Sequence, residues 1–425
     1  MKRHLAALLC FCLSGVPIIG CGDASEEPVE RSFLIVVESS LHEPLRESFQ
    51  QYAETMQLAY FDVYVEPWAS GTVDDLKSLL FDYVDRYGIE GALLIGEGLP
   101  AAWYEQEGFY GEIEAFPTDL YLQDRDAIWV DQNDNDVYDY HTDLAVDIYT
   151  SRLIGTTLQL QDYFARVEDY RRVGPLTDVS AFIFIDDPWS GKDTSDECAL
   201  GELYSRVDII QDVADSTFDN YLDKLVGEGA EFVYQWIHAA PGWLQFDDLN
   251  DDGELIRIKF LAESIPDYGF KLSFLNMSNC YAARFTDDAE KCLASAFTVG
   301  TEYGLASIGS TKVGAQTDPR LFHAALAEGL RWGEAYKVWF NVKGNENDLW
   351  HLGVVLMGDP LLRVTGDLFP AGVSHDMTGD FLDNAEPPAP CCVIGVEPGT
   401  FEEYRGRHPE FFDDGLLRFV DGYLD

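Results

Sequence analysis

Apolar residues fall along this chain in short unbroken runs, and the segments between them repeat apolar positions every three or four residues. Ser32–Glu38 (SFLIVVE) is apolar on both faces, the pattern of a strand covered on both sides. Leu41–Met56 has helical spacing, and Ala59–Val65 reads as a second strand. Val73–Tyr87 puts Leu76, Leu79, Leu80 and Val84 on one helical face and meets a stop signal at Gly88. Gly91–Gly96 (GALLIG) is a third strand, so the region alternates strand and helix and predicts a parallel sheet with helices on both faces. A loop rich in Asp, Tyr and Trp is expected over Glu97–Asp143. Asp147–Tyr149 then leads to Ser151–Leu153, followed by a helix over Thr157–Arg172. Gly174-Pro175 marks a boundary between two lobes.

The second lobe restarts the alternation. Ala181–Ile185 is a strand ending at Asp186-Asp187, and Leu200–Val213 reads as a helix. Glu231–Ile237 is a strand ending at His238, Glu254–Glu263 reads as a helix, and Lys271–Met277 is a strand running toward Cys280. Ala289–Thr298 is helical, Gly304–Ile308 extended, and Pro319–Leu330 and Gly333–Phe340 helical. Prolines at 370, 387, 388, 390 and 398 then break the pattern. The expected fold class is α/β, with two lobes of mainly parallel sheets flanked by helices and a C-terminal appendage. The divisions are a signal segment 1–21, a linker 22–31, lobes 32–174 and 175–366, and an acidic appendage 367–425.

Charge and the N-terminus narrow the function classes. Lys+Arg 28 against Asp+Glu 76 gives −48 over 425 residues, which repels nucleic acid and anionic lipid heads. A nucleic-acid partner is therefore set aside. The same excess suits a salt-adapted surface, divalent cations or a basic substrate. Lys2 and Arg3 precede an apolar run from Leu5 to Ile19, and Ile18-Ile19-Gly20-Cys21 resembles the bacterial lipobox. That resemblance implies lipidation of Cys21, attachment to membrane through the lipid, and a location in the bacterial cell envelope, lipid-anchored or secreted. An oxidising compartment permits a disulfide such as Cys198–Cys292, with connectivity left open by the sequence.

The candidate chemistry lies at strand ends, where open α/β sheets place their ligands. Cys280 follows one strand and His238 another, and a thiol needs such a base to become a thiolate. The backbone N–H groups of Ala239 and Cys280 are candidates for an oxyanion site. Asp187, or Asp186 beside it, is the candidate to orient the imidazole. The competing reading of each is structural: a core cysteine, a packed histidine, and aspartates capping a helix. Two acid-rich runs set oxygen side chains at alternate positions, as Ca²⁺ requires: Asp131, Asn133, Asn135 and Asp139, and Asp248, Asn250 and Asp252. Neither is an EF-hand, since Lys259 stands where the second run needs a closing Glu and Asp136 replaces the turn Gly of the first. Their competing reading is as solvated surface loops.

Taken together, FVYQWIHAAPG with His238, KLSFLNMSNCYAARF with Cys280, YGLASIGSTKV, RWGEAYKVWF and WHLGVVLMGDPLL resemble the gingipain-type cysteine peptidases, which share the caspase-like fold. In the first lobe ALLIGEG, FPTDLYLQD, the Asp131–Asp139 run and VDIYTSRL are similar to the same family. The resemblance spans Ser32 to Val364 and implies Cys280 as nucleophile, His238 as base, an acid at Asp186 or Asp187, and structural calcium. One departure is Ala239, where the family places Gly after the histidine. The expected function is a secreted cysteine endopeptidase acting on protein or peptide substrates. The alternatives are a non-catalytic binding protein using calcium loops with Trp103, Trp129 and Trp243, and a transpeptidase using the same Cys/His pair.

Overall fold

The computed structural model describes residues 31–109, 111–191, 196–249, 254–286 and 292–366, with the side chains of 196–198 and 249 also left out. The signal segment, most of the linker, and the appendage lie outside these residues. In the first half the strands are β1 (Arg31–Glu38), β2 (Phe61–Trp68), β3 (Ile89–Ile95), β4 (Ala102–Glu107), β5 (Ile113–Thr118), β6 (Trp129–Val130), β7 (Tyr140–His141) and β8 (Tyr149–Leu153). In the second half they are β9 (Ala181–Ile185), β10 (Val207–Ile210), β11 (Ala230–Trp236), β12 (His238–Ala240), β13 (Trp243–Leu249), β14 (Leu255–Leu261), β15 (Leu272–Ser278), β16 (Ala306–Ser310) and β17 (Val354–Gly358).

Ten of them form one sheet in the order β10-β9-β11-β15-β16-β17-β8-β3-β1-β2. Every neighbouring pair is parallel except β16 with β17. Strand direction therefore reverses once, at that step. The carboxyl ends of β9, β11, β15 and β16 share one rim with the amino ends of β17, β8, β3, β1 and β2.

The two expected lobes are thus halves of a single sheet, and alternation along the strands explains how they differ. Phe33, Ile35 and Val37 join Tyr149, Ile183, Phe232, Phe274 and Trp332 in a core that runs unbroken beneath both halves. On the opposite face Leu34, Val36, Leu76 and Leu80 belong to one core, and Phe182, Val233, Leu275 and Met277 to another. The halves are separate on one face only.

Helices cover both faces, as the β-α alternation requires. Val73–Tyr87 begins with a capping box in which the Thr72 hydroxyl accepts from the Asp75 N–H. It ends at Gly88 in the left-handed conformation. Thr157–Val173 begins the same way, at Thr156 and Gln159.

Three expectations are corrected. Glu254–Glu263 is not a helix but contains β14, paired antiparallel with β13. Ile256, Ile258 and Phe260 alternate there with Leu255, Arg257 and Lys259, and this period of two belongs to a strand, not a helix. The helix expected over Leu200–Val213 stops at Leu203, and Val207–Ile210 forms an edge strand. The long loop Glu97–Asp143 contains the hairpin β4–β5 and a helical turn at Leu120–Gln123.

Candidate active site

β11 and β15 are adjacent and parallel, with Trp236 opposite Ser278. His238 and Cys280 each stand two residues beyond those partners, so both leave the sheet on one rim. The two strand ends are tied together by Asn279, which is almost fully buried. Its amide N–H donates to the Ile237 carbonyl, and its Oδ1 accepts from Gln235 Nε2 at 3.0 Å. Both residues next to the candidate pair are therefore locked before any ligand arrives. Cys280 and His238 themselves are each partly exposed.

Cys280 opens a tight turn. Tyr281 has φ 57, which for a bulky L-residue is a strained left-handed conformation. Two bonds from the strand-end loop of β16 hold it there. The Tyr281 N–H donates to the Lys312 carbonyl and the Ala283 N–H to the Ser310 carbonyl, each at 2.9 Å. Burial pushes the Cys280 thiol above its ordinary range. The Gly314 N–H, directed at the sulfur, and the Lys312 charge oppose that rise, while Glu114 adds to it.

His238 starts β12, which pairs with β13 through a turn at Pro241-Gly242, where Gly242 has φ 89. Ala240 and Trp243 flank this two-residue turn and form its hydrogen-bonded pair. Ala239 and Leu244 are then a non-hydrogen-bonded pair, so the Ala239 N–H points away from β13 at the open edge of the small sheet β12-β13-β14. The imidazole lies against Trp189, ring centroids 4.3 Å apart. Burial and then the nearby Arg257 push it down to about 4. Among the described residues nothing hydrogen-bonds the His238 ring, Cys280 Sγ included. At neutral pH the pair therefore rests as neutral thiol and neutral imidazole.

Asp186 and Asp187 end β9, whose Ile185 is level with Trp236, so both lie on the same rim. Asp186 is fully buried, and its Oδ2 accepts from the Asp247 N–H at 3.2 Å. Burial pushes its carboxyl up to about 8, which keeps it protonated. Asp187 is less buried, is also raised by burial, and accepts from the Ser216 hydroxyl at 2.5 Å. Neither accepts a hydrogen bond from His238.

Of the acid-rich runs, the first closes the hairpin of β6 and β7. Asp131 accepts the N–H groups of Asn135 at 3.2 Å and Asp136 at 2.8 Å, with Asp134 and Asp136 at positive φ. Asp139 Oδ1 accepts the Gln132 N–H at 2.9 Å, and the Asn133 and Asn135 amides donate to Glu105. No group of three or more His, Cys, Asp or Glu able to hold a metal occurs among the described residues. In the second run Asp248 lies in β13 opposite Ile256, whereas Asn250 and Asp252 lie outside the described residues. The Cys198 side chain lies outside them too. Cys292 is buried with its sulfur 3.8 Å from the Ala282 carbonyl.

The sequence reading missed Trp189, Glu114, Lys312 and Gly314. Trp189 carried a usable signal, since an aromatic two residues past a strand-end aspartate lies within reach of the same rim. The other three had none, because they arrive from β5 and from the loop after β16.

A comparison with curated proteins gives no match. Among solved structures, the chain is similar to the Arg-specific cysteine proteinase gingipain R, with a TM-score of 0.56 and 15% identity over 81% of this chain and 80% of that one. At that identity the likeness shows a shared fold. The family model of peptidase family C25 matches residues 28–365. This chain accordingly belongs to peptidase family C25, the gingipain family, and is a cysteine-type peptidase.

Proposed function

We propose that this protein is an endopeptidase in which Cys280 is the nucleophile and His238 the base. The observation that carries the reading is the pair of neighbouring strands, β11 and β15, that end level with each other two residues before His238 and Cys280 and are joined by Asn279. Cys280 Sγ attacks the substrate carbonyl carbon while its proton passes to His238. The carbonyl π electrons move to oxygen, and the N–H groups of Ala239 and Cys280 receive the oxyanion. Collapse expels the amine, which takes the proton back from His238. Water, deprotonated by the same imidazole, then cleaves the thioester. The neutral resting pair makes proton transfer part of the attack rather than a prior event. Trp189 packs against the ring, whereas Asp187, which the family resemblance offers as the orienting acid, is bonded to Ser216 and not to the imidazole.

Hydrolysis of a mixed fluorogenic peptide library tests the assignment. The wild type is expected to cleave and Cys280→Ala to lose cleavage; equal rates would discard it. A transpeptidase would use the same pair, and mass analysis of products with an added amine acceptor separates the two.

The Asp131 loop is assigned to a structural calcium ion held by Asp131, Asn133, Asn135 and Asp139. The loop presents carboxylate and amide oxygens at alternate positions, as a hard cation requires, while Asp131 and Asp139 also accept backbone N–H groups of the loop itself. Bound there, the ion would brace the hairpin. Chelation by EGTA is expected to lower the melting temperature, with Asp131→Asn abolishing that difference. The segment ending at Cys21 is assigned as a lipoprotein signal, so Cys21→Ala is expected to move the protein from the membrane to the soluble fraction.

A further inference from the structure

Lys312 is fully buried beside the candidate nucleophile. An ammonium in such a place is costly unless it is paired and hydrogen-bonded. Three segments meet that need. Its Nζ donates to the Val313 carbonyl and to the Leu349 carbonyl at 2.8 Å, and stands 3.9 Å from Glu114 Oε2. The rings of Phe109 and Phe116, 5.6 and 5.3 Å away, close the pocket. Glu114 comes from β5, in the first half of the chain, and also accepts the Val313 N–H at 2.9 Å and the Tyr281 hydroxyl.

This cluster grips the Cys280 turn directly. The Lys312 carbonyl accepts the Tyr281 N–H at 2.9 Å. Gly314 touches both charge and sulfur: its N–H meets the thiol, and a methyl placed on it would lie 3.5 Å from Lys312 Nζ and 2.7 Å from the Trp350 carbonyl. Only glycine fits there, at φ 144. The other ionisable groups facing the thiol are few. Tyr281 is bonded to Glu114, Arg284 lies beyond the Tyr281 ring at 5.7 Å, and His238 stands across the rim. His351, on the helical turn that supplies Leu349, is bonded to Thr317 and Gly344.

We propose that Lys312 and Glu114 are positioning residues that set the acidity of Cys280, the ammonium favouring the thiolate and the carboxylate anchoring the ammonium while tempering its effect. This rests on the reading of Cys280 as nucleophile. It makes the first half of the chain part of the active site of the second.

The test is the pH dependence of Cys280 alkylation by iodoacetamide, followed by peptide mass mapping on the full chain. Lys312→Met is expected to raise the midpoint by about one pH unit and Glu114→Gln to lower it by about one, the order of shift a neighbouring charge produces. Lys312→Arg is expected to restore the midpoint. Opposite shifts are the signature, because a merely structural role would move both variants the same way. Unchanged midpoints, or shifts in one direction with loss of a cooperative melt, would overturn the proposal. If Lys312→Met does not fold, Glu114→Gln decides alone: a downward shift supports the coupling and no shift refutes it. Should Cys280→Ala still cleave peptides, the nucleophile reading fails while the midpoints continue to report on the coupling.

Discussion

At the residue scale, if His238 is the base proposed above, its environment sets the pH response to be expected. A base must be neutral to accept a proton, and an imidazole held down to about 4 stays neutral well into the acid range. The acid limb of kcat/KM is therefore expected near pH 4 to 5, not at the usual histidine value near 6.5. A limb centred near 6.5 would show that the ring is solvated in the working enzyme. His238→Ala is expected to lower kcat/KM by about 10²–10⁴-fold, the contribution of a positioned acid–base group. The sequence supplied both Cys280 and His238 because each ends an apolar run. It could not supply their protonation, which depends on burial and on Arg257, a residue of the neighbouring hairpin.

At the scale of elements, two buried polar side chains join pieces that hydrophobic packing alone would leave free to slide. Asn279 links the ends of β11 and β15. Asn279→Ala leaves Gln235 Nε2 and the Ile237 carbonyl without that partner, at a cost of about 1–3 kcal/mol. A loss of kcat beyond that seen for an equally destabilising core variant, measured with melting curves beside kinetics, would mark its effect on the site. Asp359, in the Gly-Asp-Pro segment after β17, has a different task. It accepts from Arg171 at 2.6 Å and Tyr52 at 2.9 Å, and its N–H donates to Tyr163 at 2.6 Å. It thereby fastens two helices of the continuous core to the strand where the sheet reverses. Asp359→Asn removes the charge facing a buried arginine and is expected to cost about 3–5 kcal/mol in chemical denaturation. Peptidase activity per folded molecule should be unchanged. The motif was legible in the sequence, but its structural meaning was not, because its partners lie some 190 to 310 positions away.

At the scale of the whole molecule, a net charge of −48 makes the folded state repel itself, and salt screens that repulsion. The melting temperature is expected to rise between 0.05 and 1 M NaCl (~3 Å Debye length at the upper end); a flat or falling curve would mean that attractive pairs dominate the surface. The sequence by itself determined what local pattern can encode: α/β alternation, strands covered on both faces, the helix from Val73 to Tyr87 with its glycine stop, and the two strand-end residues that could do chemistry. Each rests on periodicity and backbone preference within a window of some 15 residues. Only the tertiary structure decided that the two expected lobes share one ten-stranded sheet whose direction reverses between β16 and β17. It also decided that Glu114 and Lys312 converge on Cys280. Strand order and buried charge pairing depend on which distant segments meet, and no local spacing in the chain carries that information.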